Sequence, residues 1–506
     1  MMGNLLTLIV FLPLLAALII GFVPRGNHSQ ARAIALIATF LSVLLAGIVY
    51  ANFDFGAKGM QFTQSAEWIN IANVYQDKSL VIGYDLGVDG LSMPFVLLTG
   101  IVSFLAVLAS GKVQHRTKEY FIWFLLLITG LYGCFVALDL FLFFLFLELT
   151  LIPMYFLIGI WGGEKKGRVA SKLLVYRGLG SAFILVAFIG LAFKAAAATG
   201  TISLNMLTIA DAFATASPDI ITTAFKNGIF LVLLLAILIE EAFFPFHTWL
   251  PDTHEQAPSA VSMIVGGVVM KIGAYVLFRI AVGILPDSIK HYAILIAVLG
   301  VINIVYAALI AMVQKDWRRL LAFSAISHMG IVLLGVAAMN QAGIQGGLFM
   351  TISSGLLSAL LFFLIGAIKE RTGTTMIAGL GGLSKPMPVL AGFLLAAALG
   401  SLGLPGMSGF ISEILAFMGS FAAFPVLSVF GALGIILAAV YLLWAMQRTT
   451  YGPTTAQLEG VSDARAVEYV PAVVLLALII LIGVYPQILA DLVNPSIQTF
   501  VSRIGG

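Results

Sequence analysis

The chain has 506 residues, of which 61% are hydrophobic and only 10% charged, with a formal net charge of +3 and a mean hydropathy of +1.09. Soluble domains carry about 25% charged residues, so a large soluble core is excluded and the chain reads as an all-α polytopic membrane protein. The scattered charge forms no basic patch, which argues against nucleic acid as a partner. The lone Cys134 sits in the apolar window 120–138, reads as packing, and excludes a disulfide framework or an internal zinc or iron–sulfur cluster.

Windows of about 20 apolar residues match a hydrocarbon core roughly 30 Å thick. The N-terminal window 4–23 has no basic residue before it and no small-residue cleavage site, so it is read as a first span rather than a removed signal. Further spans are predicted at 32–51, 90–110, 119–138, 139–161, 169–195, 222–248, 258–283, 289–313, 318–338, 343–368, 387–419, 423–447 and 468–490, about fourteen in all. Between spans two and three, residues 52–89 form a polar, alternating stretch (SLVIGYDLGVDG) expected to be an exported loop, a hairpin being one form it can take. Residues 202–215 read as an amphipathic helix at the interface. With fourteen spans, the loops after odd-numbered spans hold seventeen of the 26 basic residues, among them Arg25, Lys112, Lys165, Arg318, Arg371 and Arg465, against seven on the other side. The positive-inside rule then puts both termini on the non-cytoplasmic side of a bacterial-type cytoplasmic membrane.

Span seven is punctuated by Pro245 and Pro251 in FPFHTWLP, and span twelve by SLGLPGMSGF. Interrupted spans in corresponding positions point to inverted repeats around an ion site. Spans four to eight (about 119–283) pair with spans nine to thirteen (about 289–447), giving two inverted five-helix repeats with two discontinuous helices, preceded by spans one to three (4–110) and followed by a final span.

An acid or base at the centre of a spanning helix costs roughly 2.5 to 3.5 kcal/mol, so each one inside an apolar window asks for a reason. Glu148 lies in FLFLELTLIPMY, Lys271 near the middle of VVMKIGAYV, and Glu413 just beyond the break in span twelve. Glu148 is either paired structurally with Lys172 or Arg177 or belongs to a proton relay. A lysine desolvated at position 271 is poised to lose its proton to a nearby charge. His328 in SAISHMG is a relay candidate, with Ser324 and Ser327 near it, or a satisfied core histidine. His247 reads as a gating, capping or loop residue. Glu240 and Glu241 are adjacent and point about 100° apart on a helix, so one at most is expected to face a path directly.

The run HTWLPDTHEQAP (247–258) followed by the mid-helix Lys271, together with FLELTLIPMY, SAISHMG and GLPGMSGFISE, resembles the antiporter-like membrane subunits of respiratory complex I, the proton-pumping NADH-quinone oxidoreductase. The resemblance covers essentially the whole chain. It implies a proton channel in a membrane arm, driven by quinone reduction in other subunits. Glu148 matches the family's input glutamate, Lys271 its central lysine, Glu413 its output carboxylate, and His328 a histidine on the connecting path. It also implies that FMN and iron–sulfur clusters belong to the parent complex and none to this chain, whose partners are other membrane-arm subunits, lipid and protons. Two positions depart from the family pattern: Glu240 stands where a lysine is usual, and Ser354 where a histidine is usual in span eleven. Lys226, Lys172 or Arg177 could supply the missing cation. A subunit of a cation/proton antiporter or membrane-bound hydrogenase, or a structural spacer with a degenerate channel, are the alternatives.

Overall fold

The computed structural model describes residues 4–24, 26–75 and 78–504; Arg25, counted above among the basic loop residues, lies outside them. Apolar windows become helices with the expected bounds: α1 (Leu5–Phe22) and α2 (His28–Ala51), then β1 (Gln61–Tyr75) and β2 (Lys78–Val88), then α3 (Ser92–Ala109), α4 (Thr117–Val136), α5 (Leu140–Trp161) and α6 (Lys166–Thr199). The 52–89 stretch does pair as two antiparallel strands, with Ala66 opposite Tyr84 and Ile71 opposite Leu80. A short β3 (Ile202–Ser203) lies parallel to β2 and leads into the amphipathic α7 (Met206–Thr215).

Spans four and five are separated by three residues, yet the join is well satisfied. Leu138 donates its N–H to the Asp85 carbonyl at 2.8 Å, and Leu140 donates to the Leu204 carbonyl at 2.8 Å. Asp139 then caps α5, accepting from Phe141 N and Leu142 N. The strand pair is therefore stitched to the start of α5 rather than hanging free.

Span seven consists of α8 (Thr223–Glu240), an irregular segment and α9 (Trp249–Gln256). Span eight, Ser259–Val282, is α10 (Ser259–Ile264), a π-helical turn at Val265–Val269, α11 (Lys271–Val276) and a second π-helical stretch at Leu277–Val282. After a short α12 (Pro286–His291) come α13 (Ala293–Met312), α14 (Trp317–Ala337) and α15 (Gln341–Thr372). Span twelve is split into α16 (Pro388–Ser401) and α17 (Ser408–Ala423), and α18 (Pro425–Thr450), α19 (Ala466–Val484) and α20 (Gln487–Ile504) complete the chain. Among the described residues thirteen helices are long and apolar enough to cross a membrane. The two halves of span twelve, 14 and 16 residues long, are each too short alone and together make the fourteenth.

In a chain that crosses back and forth, elements five spans apart run in opposite directions, so the broken spans seven and twelve are related as inverted repeats require. The helix α20 was not anticipated. Its buried stripe of Leu489, Leu492, Val493 and Ile497 is diluted by polar residues, so an averaged hydropathy window ends with α19.

Spans eight, ten and eleven are buried over the whole of their apolar windows, whereas α1, α2 and α19 are buried over less than half. Phe22, Ile37, Val175 and Val426 stand exposed on outer helices, as a surface meeting lipid requires. Without a hydrophobic drive between helices in lipid, close packing of small residues must hold them together. α13 and α14 meet at Gly300 and Gly330, where a Cβ on either would lie within 3.0 Å of the other's carbonyl oxygen. The three buried spans carry Lys271, His328 and Ser354, so the fold places these at its centre.

Candidate functional site

The break in span seven follows from its prolines, which remove backbone donors. Beyond Glu240 the chain passes Ala242 at φ +55° and needs side chains to complete its hydrogen bonds. Phe244 N donates to Asn303 Oδ1 at 2.7 Å, and Trp249 Nε1 to the Ile239 carbonyl at 3.1 Å. His247 sits in this segment, its Nε2 3.4 Å from Tyr306 Oη, with Nδ1 lacking a protein partner.

Glu240, at the end of α8, meets Arg177 from the middle of α6. Nη2 lies 2.7 Å and Nε 2.9 Å from the same carboxylate oxygen, Oε2, and both side chains are 1% exposed. Arg177 Nη1 also approaches Met154 Sδ at 3.2 Å. Glu148 on α5 is half-buried and lies within electrostatic reach of Glu240; it forms no ion pair or hydrogen bond among the described residues. The cation facing the Glu148 side is thus Arg177. Lys172 is held instead by Asp252 at 2.8 Å and by the Thr248 carbonyl at 2.9 Å, and Lys226 by Asp287 at 3.0 Å. Asp252 also accepts from Arg319 at 2.9 Å.

Glu241 points the other way. Its Oε1 accepts the Ala274 N–H at 2.6 Å, and it is charge-coupled to Lys271, both being completely buried. The 100° divergence between the adjacent glutamates thus sets Glu240 against Arg177 and Glu241 on the side of Lys271. Lys271 begins the single α-helical segment between the two π-helical stretches, a local irregularity frequent at functional sites. Its Nζ lies 3.4 Å from Met329 Sδ. Ser354 Oγ approaches the same sulfur at 3.7 Å and donates to the Thr351 carbonyl at 3.2 Å, so Ser354 belongs to the Lys271 cluster.

His328 is 6% exposed, with Nε2 lacking a protein partner. It lies beside the Ser401 carbonyl and within electrostatic reach of Lys271. Ser401 ends α16, so His328 connects the centre to the second break. Of its neighbours, Ser324 Oγ accepts from Tyr441 Oη at 2.8 Å, and Ser327 donates to the Ile304 carbonyl at 2.9 Å. Glu413, on α17, is 7% exposed. Its carboxylate lies against Gly403, whose φ of +73° and lack of a side chain leave it room; a Cβ there would collide with Oε2. Glu413 also opens into a groove of about 690 Å³ lined by Phe410, Ile414, Phe417 and Val429.

One buried feature was missed from sequence, and His254, the second histidine flanking the break, turns out to be buried too. Arg279 makes a bidentate pair with Asp89 at 2.5 and 2.8 Å and contacts Tyr275 Oη at 3.2 Å; Arg279 in an apolar window, eight residues after Lys271, was the available signal. His254 is fully buried, stacked 4.1 Å from the Phe362 ring, with neither ring nitrogen partnered among the described residues.

A helix broken in each half, with buried acids and bases running through the most enclosed spans, defines a polytopic membrane protein of the discontinuous-helix transporter class. Comparison with known proteins refines that class. Residues 137–440 match the family described as NADH:quinone oxidoreductase/Mrp antiporter, transmembrane, and the chain belongs to that family. It is 36% identical to NADH-quinone oxidoreductase subunit M of Rhodobacter capsulatus over 99% of this chain and 97% of that one. It is 35% identical to the chloroplastic NAD(P)H-quinone oxidoreductase chain 4 of Mesostigma viride over 99% and 97%. Among solved structures it superposes on a chain of respiratory complex I from Thermus thermophilus with TM-score 0.86, 29% identity and complete coverage of both chains. A chain of the Mrp complex from Dietzia sp. shares the fold at 20% identity, TM-score 0.83, covering 100% of this chain and 99% of that one.

Proposed function

We propose that this chain is the proton-translocating membrane-arm subunit of an NADH-quinone oxidoreductase, moving protons along Glu148, Glu240, Glu241, Lys271, His328 and Glu413 while quinone is reduced elsewhere in the complex. The observation that carries this reading is a run of buried ionisable groups through the most enclosed spans: Arg177 lies 2.7 Å from Glu240, the adjacent Glu241 accepts from Ala274 N in the helix that Lys271 begins, and Lys271, His328 and Glu413 are buried. The two breaks supply the flexible ends of that series, and its centre lies on buried spans.

The chemistry of the first member differs from that of a glutamate–lysine pair. A lysine partner can give up its proton, whereas arginine stays protonated. At this end of the series the proton must therefore travel on the carboxylates Glu148, Glu240 and Glu241. Arg177 acts as a fixed charge whose distance from Glu240 sets how readily that acid ionises. Separation of Arg177 from Glu240 favours protonation there, changes the field on Glu241, and so changes the hold of Glu241 on Lys271.

FMN and iron–sulfur clusters belong, in this reading, to partner subunits, and the ends rich in lysine and arginine face the cytoplasm, with both termini opposite. The test is Lys271→Ala in the parent complex reconstituted into liposomes. Electron transfer continues while protons pumped per electron fall; an unchanged ratio in a fully assembled complex overturns the assignment.

A further inference from the structure

Two grooves lie between α2 and α19, floored by α3 and α15. The first, about 300 Å³, opens at the end of the molecule richest in basic residues and is lined by Leu36, Leu108, Met263 and Phe363 below a charged rim. The second, about 250 Å³, continues along the same helices and is almost wholly apolar, from Tyr50 and Leu97 to Leu481 on α19 and Leu489 on α20. Leu36 and Tyr50 are fourteen residues apart on α2, roughly 21 Å along its axis, so the seam runs through most of the membrane's depth.

The rim is not charge-neutral. Glu370 is taken by Lys112 at 2.8 Å, and Glu468 by Arg371 through two bonds of 2.5 and 3.0 Å. Arg465 is left 3.8 Å from each of these carboxylates. Arg32 has no ion pair among the described residues, and its Nε is buried without a hydrogen-bond partner. Three lining cations, Arg32, Lys112 and Arg465, thus face two acids that are already engaged, and one buried guanidinium donor has no partner among the described residues. Such a donor calls for an acceptor, and guanidinium groups match phosphate oxygens in geometry as well as charge.

Chemistry selects the occupant. The groove is divided into a cationic rim, with an unpartnered guanidinium donor, and an apolar floor, and a phosphate head carrying an apolar chain that lies partly in the groove and partly in the bilayer matches both. We propose that the groove between α2, α3, α15 and α19 binds an anionic phospholipid, with Arg32 and Arg465 on the phosphate and an acyl chain along Leu36, Leu108, Met263 and Phe363. The lipid fills the seam between the N-terminal helix pair and the last span, and so ties both to α15, the span that carries Ser354.

The test uses the intact complex containing this chain, placed in phosphatidylcholine nanodiscs doped with a photoactivatable phosphatidylglycerol. Wild-type complex is labelled on α2 and α19, and unlabelled phosphatidylglycerol competes while millimolar inorganic phosphate does not. The double variant Arg32→Gln/Arg465→Gln lowers labelling about tenfold, the scale of one lost charge-assisted contact. Leu36→Trp, which blocks the apolar floor and leaves the charges alone, lowers it as well. Arg465 is half exposed, so Arg465→Gln by itself gives a version that folds normally and should show a partial loss. Equal labelling of wild type and variants overturns the proposal. So does full competition by inorganic phosphate, which marks a free-anion site, or crosslinking of the groove to a neighbouring subunit in place of lipid.

Discussion

The Arg177–Glu240 pair can be perturbed from either side, and the structure sets the scale of the result. With Nη2 and Oε2 2.7 Å apart and both side chains 1% exposed, charges whose centres lie about 4 Å apart attract by about 4 kcal/mol at an effective dielectric constant near 20. Removing one partner of a buried pair costs about 3–5 kcal/mol, because the other charge is left uncompensated. Glu240→Gln strands Arg177 between Glu241, which is already set against Lys271, and Glu148, which has no ion pair of its own among the described residues. The guanidinium is expected to turn to Glu148 and lock the first acid in its ionised form. At 1.36 kcal/mol per decade, 3–5 kcal/mol shifts the local protonation equilibrium by about 10² to 10⁴. Proton pumping per electron in liposomes should fall while electron transfer persists. Glu240→Lys, which restores the residue usual in the family, should be worse than Gln because it sets a second cation beside Arg177. The double variant Glu240→Lys/Arg177→Gln should recover pumping, since it rebuilds a glutamate–lysine arrangement with Glu148. Normal pumping in Glu240→Gln and in Arg177→Gln refutes the reasoning and moves the route elsewhere.

Three further outcomes are expected. Gly403→Ala places a methyl group against the Glu413 carboxylate and forces φ +73° on a residue with a side chain, so proton output should fall; adding Glu413→Asp, one methylene shorter, should restore part of it, and no effect of the alanine would remove Glu413 from the route. Asp89→Asn leaves Arg279 buried without its counter-charge and should lower stability by about 3–5 kcal/mol, read as earlier thermal dissociation of the complex with the proton-to-electron ratio unchanged. Asp252 accepts from both Lys172 and Arg319, so Asp252→Asn loosens the tie of α9 to α6 and α14, and amide protection factors in α9 should fall relative to wild type at the same pH; unchanged protection would contradict the assignment.

Much of the architecture could be read from the chain because membrane spans are written in local composition. Each predicted window found its helix, and the breaks near His247 and after Leu404 announced themselves through Pro245, Pro251 and the GLPG run. Lys271, Glu148 and Glu413 were legible for the opposite reason: an ionisable group in an apolar window has an energetic cost that composition exposes. What stayed hidden depends on contacts across the sequence. Arg177 lies 63 residues before Glu240, and nothing local distinguishes it from Lys172, which turned to Asp252 instead. The divergent use of Glu240 and Glu241 required α6 and α11 on either side of α8. The π-helical turns around Lys271 follow from packing in a fully buried span rather than from any residue that marks them. Helix α20 escaped because its buried face is a stripe, which an averaged hydropathy window cannot register.

The Arg177–Glu240 couple also carries a historical implication. Each residue is costly there without the other: arginine at 177 beside lysine at 240 would confine two cations, and glutamate at 240 facing a neutral residue at 177 would leave two acids close together without their nearest counter-charge. A change between lysine and glutamate at 240 therefore disturbs the balance unless 177 changes with it or one position passes through an uncharged residue. Across relatives, acidic residues at 240 should travel with arginine at 177 and lysine at 240 with an uncharged partner, so that the two sites are inherited as a single character.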